Sequence, residues 1–258
     1  YAERVAVPAD MALRIPEGLS MVEAAAIPEA FATSYLNICI EGGMKTGDTV
    51  LIQAGASGLG IAAIQLVKTL GGKVMTTVST EEKAEFVSAL GADIVINRTV
   101  DDLGAAMDKQ PVDIALDCIS GPGLGQCIEK MAIGGRWIVI ATLGGALTEI
   151  NMDRFFRRGI KLIGSTLRSR SSQMKADILT GLERNLWQSF SSKEIKPVIY
   201  RTLPIAKVEE AHAILQRREN IGKVVLTVKG DVRLPQRNAA LLGCSSDYTV
   251  NSPSGNTD

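Results

Sequence analysis

From Thr49 onward, short apolar runs alternate with stretches of helical periodicity. The apolar runs are TVLIQA, KVMTTV, DIVI, VDIALDC, RWIVIA and KLIGST, and most of them are nearly continuous Val, Ile and Leu segments. Strands that are apolar on both faces are typical of a parallel sheet covered by helices on both sides. The pattern therefore predicts an α/β fold, a doubly wound parallel sheet of about six strands.

Helical periodicity occupies the intervals between these strands. The predicted helices cover residues 58–70, 81–90, 101–109 and 123–131, a short DRFFRR segment, and residues 171–189 after the last strand. Upstream of the sheet, Ser20 and Glu23 fit a capping box for a further helix, and Pro28 interrupts before EAFATSYLNI. Downstream, VIYRTLPIAKVEEAHAILQRRENIGKVVLTV indicates a strand, a helix and a strand.

The two ends of the chain depart from this alternation. The chain begins at Tyr1 directly in a strand-like pattern, RVAVP, from which we expect that a preceding portion is missing. After Lys229 the sequence is rich in Ser, Asn, Gly and Pro, which predicts a disordered tail over residues 230–258. The alternative for that tail is a short docked turn at AALLGC.

Composition and charge narrow the class of ligand. Among 258 residues, 28 Lys and Arg balance 28 Asp and Glu, so no net charge attracts nucleic acid or an anionic membrane. No apolar run reaches the roughly 18 to 20 residues needed to cross a bilayer, and no basic-then-apolar leader opens the sequence. We therefore expect a cytoplasmic protein that binds a small molecule.

The cysteine and histidine content offers few residues for a metal site or for acid–base catalysis. The four cysteines, at positions 39, 118, 127 and 244, form no CxxC pair, and a single histidine, His212, accompanies them. These spacings disfavour a structural zinc site or a disulfide framework, and no metal site is predicted. The YxxxK pair of short-chain dehydrogenases is absent, and no partner for His212 as a general base can be placed.

The turn AGASGLG carries the strongest local signal. Ala54, Ser57 and Gly60 are spaced by three, with Gly55 and Gly58 between them. After a strand and at the start of a helix, such a turn lets the backbone approach a pyrophosphate, which meets unpaired N–H groups and the positive end of the helix. The alternative is a tight turn that holds no ligand.

The end of the next predicted strand favours one nucleotide. NAD and S-adenosylmethionine sites generally present an acidic residue there, about 20 residues after the glycines. Ser79 and Thr80 occupy this place, followed by Lys83, and hydroxyls with a cation suit a 2′-phosphate. The pattern favours NADPH. Arg98 either reaches the adenine or the same phosphate, or is a solvated surface residue.

Several motifs together resemble the zinc-free quinone oxidoreductase branch of the medium-chain dehydrogenase/reductase superfamily, and within it the p53-inducible quinone oxidoreductase subgroup. They are AAAIPEAFATSYLNI, QAGASGLG, DCISG, LRSR and NIGKVVL, in order over about Tyr1 to Val228. The resemblance implies a Rossmann-like NADPH-binding domain over residues 41–190. It also implies remnants of a GroES-like domain at both ends. Residues 1–40 would hold one remnant and a linking helix, and residues 191–229 would return to the same domain.

The resemblance further implies zinc-independent hydride transfer from NADPH to a quinone or an activated alkene, and a homodimer joined by the last sheet strands. The missing part of the GroES-like domain would normally complete the acceptor pocket, so no catalytic residue is assigned. We expect the chain to bind NADPH yet to reduce quinones slowly. A non-catalytic NADPH-binding or dimerising fragment is the alternative, and Ser79 disfavours a methyltransferase.

The resemblance assigns cofactor contacts residue by residue along the dinucleotide. Thr33 would lie near the nicotinamide half; Ser57, Gly58 and Leu59 on the pyrophosphate; Ser79 and Lys83 on the 2′-phosphate; Arg98 on the adenosine side; Ile119, Gly121, Thr142, Leu143, Gly144, Leu167 and Arg168 along the ribose and nicotinamide channel; and Asn220 and Lys223 closing it. Relatives usually have Tyr or His where this chain has Arg98, which alters the adenine side.

Overall fold

The computed structural model describes residues 1–2 and 5–228. Its main sheet consists of β1 (Thr49–Ile52), β2 (Lys73–Val78), β3 (Ile94–Asn97), β4 (Ile114–Asp117), β5 (Arg136–Val139) and β6 (Lys161–Gly164). All neighbours pair in parallel, in the order β3-β2-β1-β4-β5-β6. The predicted doubly wound sheet is confirmed, and its strand order reverses between β1 and β4, where ligands bind in such folds.

Helices cover both faces of this sheet. They are α1 (Met21–Ala25), α2 (Pro28–Ser34), α3 (Gly58–Thr69), α4 (Glu81–Ala89), α5 (Leu103–Lys109), α6 (Pro122–Cys127), α7 (Met152–Arg157) and α8 (Ser172–Ser191). A π-helical segment, Tyr35–Glu41, continues α2. Then β7 (Ile199–Pro204), α9 (Val208–Gln216) and β8 (Lys223–Thr227) form a separate parallel pair with its crossover helix.

The sheet separates two apolar layers because successive side chains of a strand point to opposite faces. In β1, Val50 and Ile52 belong to the layer beneath α2, α3 and α8, whereas Leu51 packs in the layer with α5 and α6. The same alternation places Trp137 and Ile138 of β5 in different layers. All four residues of β1 are buried, as the continuous apolar pattern predicts.

Two predicted elements differ from the structure. The RVAVP alternation forms no strand over residues 5–8, where Val5 and Val7 are exposed. No neighbouring strand in the described part of the chain pairs with this segment, and a strand without a neighbour leaves its backbone groups to water. The helix predicted over 123–131 is α6 followed by a 3₁₀ turn, Ile128–Lys130. The tail predicted over 230–258 lies outside the described residues.

The segment β7-α9-β8 is joined to the main domain at the glycine-rich turn. The N–H of Gly222, just before β8, donates to the Ala56 carbonyl at 3.0 Å, and Ser57 and Gly222 form an isolated parallel bridge. This contact brings the last described residues to the switch point of the sheet. Among the described residues, no helix combines the length and apolar character needed to cross a membrane.

Candidate dinucleotide site

The turn between β1 and α3 is shaped by its small residues. Ala54 adopts a left-handed conformation with φ of 58°. A Cβ on Gly55 would overlap the Thr76 hydroxyl, and a Cβ on Gly60 would overlap the Ala54 carbonyl and the Gly55 backbone. Glycine is therefore required at both positions for the close approach of turn, strand and helix.

Ser57 caps the helix that leaves this turn. Its hydroxyl accepts the N–H of Gly60 at 3.0 Å, and the helix α3 then runs for 12 residues. The first-turn N–H groups and the aligned peptide dipoles make this end suited to an anion. The predicted residues Ser57, Gly58 and Leu59 all lie at this end of α3. The side chain of Lys223 passes close to Gly58, since its carbon atoms would be the nearest neighbours of a Cβ added there.

Buried hydroxyls of β2 fix the turn, a feature that sequence reasoning missed. The Thr77 hydroxyl accepts the N–H of Ala54 at 3.1 Å and donates to the Gln53 side chain at 2.7 Å. The Thr76 hydroxyl donates to the Ile52 carbonyl at 2.7 Å. A TT pair in an otherwise apolar strand was the signal for these contacts, because buried hydroxyls need partners.

A basic cluster of Lys83, Arg98 and Arg218 lies beyond the ends of β2 and β3. The Nζ of Lys83 donates to the Arg218 carbonyl at 2.6 Å. Partial burial lowers the pKa of Lys83, Glu82 raises it, and Arg98 and Arg218 lower it further, so both arginines lie near the Lys83 ammonium group. Ser79 precedes the cluster and is partly buried.

Arg218 is the member of this cluster that sequence reasoning missed. It follows α9, 135 residues after Lys83 in the chain, so no local pattern connects the two. Its backbone has φ of 57° because it occupies the left-handed position that ends α9, where its N–H donates to the Leu215 carbonyl at 3.1 Å and the Glu219 N–H donates to the Ile214 carbonyl at 3.3 Å. Thr80 also has a local role, since its hydroxyl accepts the Lys83 N–H at 3.3 Å as the α4 cap.

A cleft of about 290 Å³ lies at the carboxyl ends of β4, β5 and β6, beside the first turn of α3. Four residues of the predicted site line it: Thr33, Leu59, Leu167 and Arg168. Sequence reasoning missed the other seven, which are Glu29, Asn37, Cys118, Ile140, Ala141, Ser165 and Thr166. The carboxyl edge of a doubly wound sheet is where ligands bind in such folds.

The thiol of Cys118 lies in this cleft and has a raised pKa. Burial raises the pKa of Cys118 to about 11, and the neighbouring Asp117 raises it as well. Because the thiolate is the nucleophilic form, Cys118 presents an apolar, protonated sulfur to the cleft.

Five predicted residues lie in two loops packed together beside the cleft. The N–H groups of Leu143 and Gly144 donate to the carbonyls of Cys118 and Ile119 at 3.2 and 2.7 Å. A Cβ on Gly121, whose φ is 66°, would lie 2.6 Å from the Gly144 oxygen. Ile119, Gly121 and Gly144 therefore have a packing role of their own. The side chains at 142 and 143 are exposed, Leu143 by 70%.

Lys223 joins the C-terminal segment to α2 across the start of α3. Its Nζ lies 2.6 Å from Oε2 of Glu29, and Oε1 of Glu29 accepts a long hydrogen bond from the Thr33 hydroxyl at 3.5 Å. Asn220 donates from Nδ2 to the Gly222 carbonyl at 2.8 Å, which shapes the loop before β8. The predicted residues Thr33, Asn220 and Lys223 are thus brought to one side of the glycine-rich turn.

A larger groove, of about 490 Å³, lies near the opposite ends of the strands and is lined by residues such as Pro111, Lys130 and Arg158. Its cations are engaged within the protein: Lys130 pairs with Asp108, and Arg158 donates to the Met131 carbonyl. Size alone therefore does not make it the ligand site.

No group of three His, Cys, Asp or Glu side chains suited to a metal occurs in the described part of the chain. His212 is exposed on α9, where its Nε2 lies 2.6 Å from the Tyr1 hydroxyl.

Comparisons with known proteins decide the family. The zinc-binding dehydrogenase family model matches residues 58–182. The quinone oxidoreductase of Thermus thermophilus, solved also in complex with NADPH, is 31% identical with a TM-score of 0.78, and the match covers 88% of this chain and 73% of that one. The chain belongs to the medium-chain dehydrogenase/reductase superfamily. Human quinone oxidoreductase is 28% identical over 88% of this chain and 68% of its own length.

A polyketide synthase and an enoyl reductase are also similar to this chain. A highly reducing polyketide synthase of Emericella nidulans is 29% identical over 97% of the chain, which spans only 10% of that protein. The JamJ enoyl reductase is 27% identical with a TM-score of 0.72, covering 83% of this chain and 65% of that one. The chain thus spans about a tenth of the length of the first of these relatives and under two thirds of the second.

Proposed function

We propose that this medium-chain dehydrogenase/reductase chain binds NADPH and belongs to a zinc-independent quinone or enone oxidoreductase. The observation that carries the proposal is the arrangement of three features along the carboxyl edge of the sheet. The basic cluster lies on the side of β2 and β3, the glycine-rich turn at β1, and the cleft at β4 to β6. A dinucleotide has the same order of parts: phosphorylated adenosine, pyrophosphate and nicotinamide.

The residues present fit such a ligand. The start of α3, from Ser57 to Leu59, would take the pyrophosphate. Lys83, assisted by Ser79 and Arg98, would take the 2′-phosphate, because a cation and hydroxyl donors are complementary to a phosphate. The cleft would take the nicotinamide, with the loops that carry Ile119, Gly121, Thr142, Leu143 and Gly144 along the ribose. Thr33, Leu167, Arg168, Asn220 and Lys223 would enclose its outer side.

Bound NADPH would supply a hydride to an electron-poor acceptor. The chain's own contribution is placement, since much of the rate advantage in such reactions comes from holding donor and acceptor in alignment. Thr33, Leu59 and Leu167 all line the cleft in which the ring would be held. No acid is assigned, and the protonated Cys118, with its pKa of about 11, is a poor proton donor to a carbonyl.

The acceptor class is tested by two substrates. Similarity to quinone oxidoreductases supports 9,10-phenanthrenequinone, and similarity to polyketide synthases and to an enoyl reductase supports an enoyl thioester such as crotonyl-CoA. NADPH oxidation, followed by absorbance with each acceptor, should be measurable but slower than with the Thermus enzyme assayed in parallel. Binding of NADPH with no turnover on either acceptor would instead favour a non-catalytic NADPH-binding protein.

We also propose a homodimer formed along β6. This strand pairs with β5 on one side, and Lys161, Leu162 and Gly164 are exposed. An exposed apolar edge strand tends to pair with another strand. β5 itself is interior, between β4 and β6. A cytoplasmic location, and the division of the chain into a Rossmann-like domain flanked by GroES-like segments, stay predictions from the sequence.

A further inference from the structure

Two residues that line the cleft carry buried side-chain polar atoms without a hydrogen-bond partner. Among the described residues, four buried side-chain polar atoms lack a hydrogen-bond partner: Oδ1 of Asn37, Oγ of Ser165, Oγ1 of Thr148 and Nε of Arg170. The first two belong to residues that line the cleft. Asn37 is 0% exposed and Ser165 is 8% exposed. Buried polar groups without partners are rare in native proteins, and a molecule bound in the cleft would supply the missing partners.

The existing contacts of Asn37 fix which kind of partner it requires. Its Nδ2 donates to the Thr33 carbonyl at 2.7 Å, which defines the orientation of the amide. The oxygen is therefore the unpaired end, and an amide oxygen can only accept. A ligand that pairs with Asn37 must donate an N–H or O–H. The Ser165 hydroxyl can either donate or accept.

The backbone around Asn37 is also unusual. The residue lies in the π-helical segment Tyr35–Glu41, where the Gly42 N–H donates to the Asn37 carbonyl at 2.9 Å, five residues back. Short π-helical segments in α-helices occur frequently at functional sites. Here the segment lies next to the cleft, on the continuation of the helix that carries Thr33.

We propose that Asn37 and Ser165 bind the carboxamide group of the nicotinamide. A primary carboxamide presents N–H donors and a carbonyl acceptor on one small planar group, so its N–H would pair with Oδ1 of Asn37 and its oxygen with the Ser165 hydroxyl. A quinone has only acceptor oxygens and leaves Asn37 unsatisfied. The inference rests on the proposed function, and it makes Asn37 and Ser165 positioning residues that orient the ring by its substituent.

The test compares three ligands by equilibrium titration. NADPH has the carboxamide, its 3-acetylpyridine analogue keeps the carbonyl but replaces the NH₂ with a methyl group, and 2′,5′-ADP lacks the nicotinamide end altogether. The unchanged protein should bind NADPH about tenfold more tightly than the analogue, because the analogue leaves Oδ1 of Asn37 without a donor. In Asn37→Leu this difference should disappear.

Ser165→Ala is the second variant, a small change that preserves the Asn37–Thr33 hydrogen bond. It should weaken binding of NADPH and of the acetyl analogue alike, by about three- to tenfold, because both carry the carbonyl. The affinity for 2′,5′-ADP should be unchanged in both variants, which also shows that they fold. Ser34→Ala is the matched control, since its buried hydroxyl donates to the Ala30 carbonyl at 2.8 Å and is not part of the cleft lining.

The outcomes separate the two claims. If 2′,5′-ADP and NADPH bind but the unchanged protein does not discriminate against the acetyl analogue, or Asn37→Leu still discriminates, the carboxamide assignment is wrong and the proposed function stands. If neither NADPH nor 2′,5′-ADP binds the folded, unchanged protein, the proposed function is wrong and the carboxamide assignment falls with it.

Discussion

Replacing Lys83 with alanine should weaken NADPH binding and leave NADH binding unchanged. In the free protein Nζ of Lys83 donates to the Arg218 carbonyl, a neutral acceptor, at 2.6 Å. A charge-assisted bond to a 2′-phosphate contributes about 1.5 to 3 kcal/mol, and the exchanged bond to a neutral carbonyl about 1 kcal/mol. The net loss in Lys83→Ala is therefore about 0.5 to 2 kcal/mol, or roughly 2- to 30-fold in affinity.

Titration calorimetry with both cofactors measures this difference. Lys73→Ala is a suitable control, because Lys73 is an exposed residue at the opposite end of the same strand, β2. It should bind both cofactors as the unchanged protein does. The reasoning is refuted if Lys83→Ala binds NADPH normally, or if it loses affinity for NADH to the same extent, because either result would remove Lys83 from the 2′-phosphate.

Four further results are expected. Because burial and the nearby arginines lower the pKa of Lys83 below its ordinary 10.5, the preference for NADPH should decline with rising pH earlier than it would for an ordinary lysine, as titrations between about pH 7 and 10 would show. Gly60→Ala should lower stability by about 1 to 3 kcal/mol in denaturant unfolding and abolish NADPH binding, because its Cβ would overlap the backbone of Ala54; normal binding would contradict the described turn. Cys118, with its pKa raised to about 11, should be alkylated slowly at neutral pH, as peptide mass spectrometry would show, and rapid labelling would contradict its burial. Light scattering should show a dimer that Leu162→Lys dissociates; a monomeric unchanged protein at micromolar concentration would contradict pairing along β6.

The sheet could be predicted from sequence because its signals are local. Each strand is a short, nearly continuous apolar run, and the first three helices between them, α3, α4 and α5, start at the polar caps Ser57, Thr80 and Asp102. The glycine-rich turn was recognisable for the same reason. The strand expected from the RVAVP pattern was wrong because an alternating pattern forms a strand only where a neighbouring strand can pair with its backbone.

Most residues of the cleft, and one member of the basic cluster, could not be predicted because they come from distant parts of the chain. Arg218 contacts Lys83 from 135 residues further along the chain, and Ser165 follows β6 whereas Asn37 precedes β1. In the sequence, Asn37 reads as one polar position within an apolar helix, and only its unpaired oxygen in the folded protein distinguishes it. The residues taken from the family resemblance omit these positions, and their contacts with a nucleotide stay predictions.

The central claim is that this chain has a site built for NADPH, and one equilibrium measurement tests it most directly. The unchanged protein is titrated with NADPH and, separately, with NADH under identical conditions, with 2′,5′-ADP as the competitor. The arrangement of Ser79, Lys83 and Arg98 predicts saturable binding of one equivalent of NADPH, tighter than NADH, that 2′,5′-ADP displaces. Equal affinities for the two cofactors, or no binding by the folded chain, would contradict it.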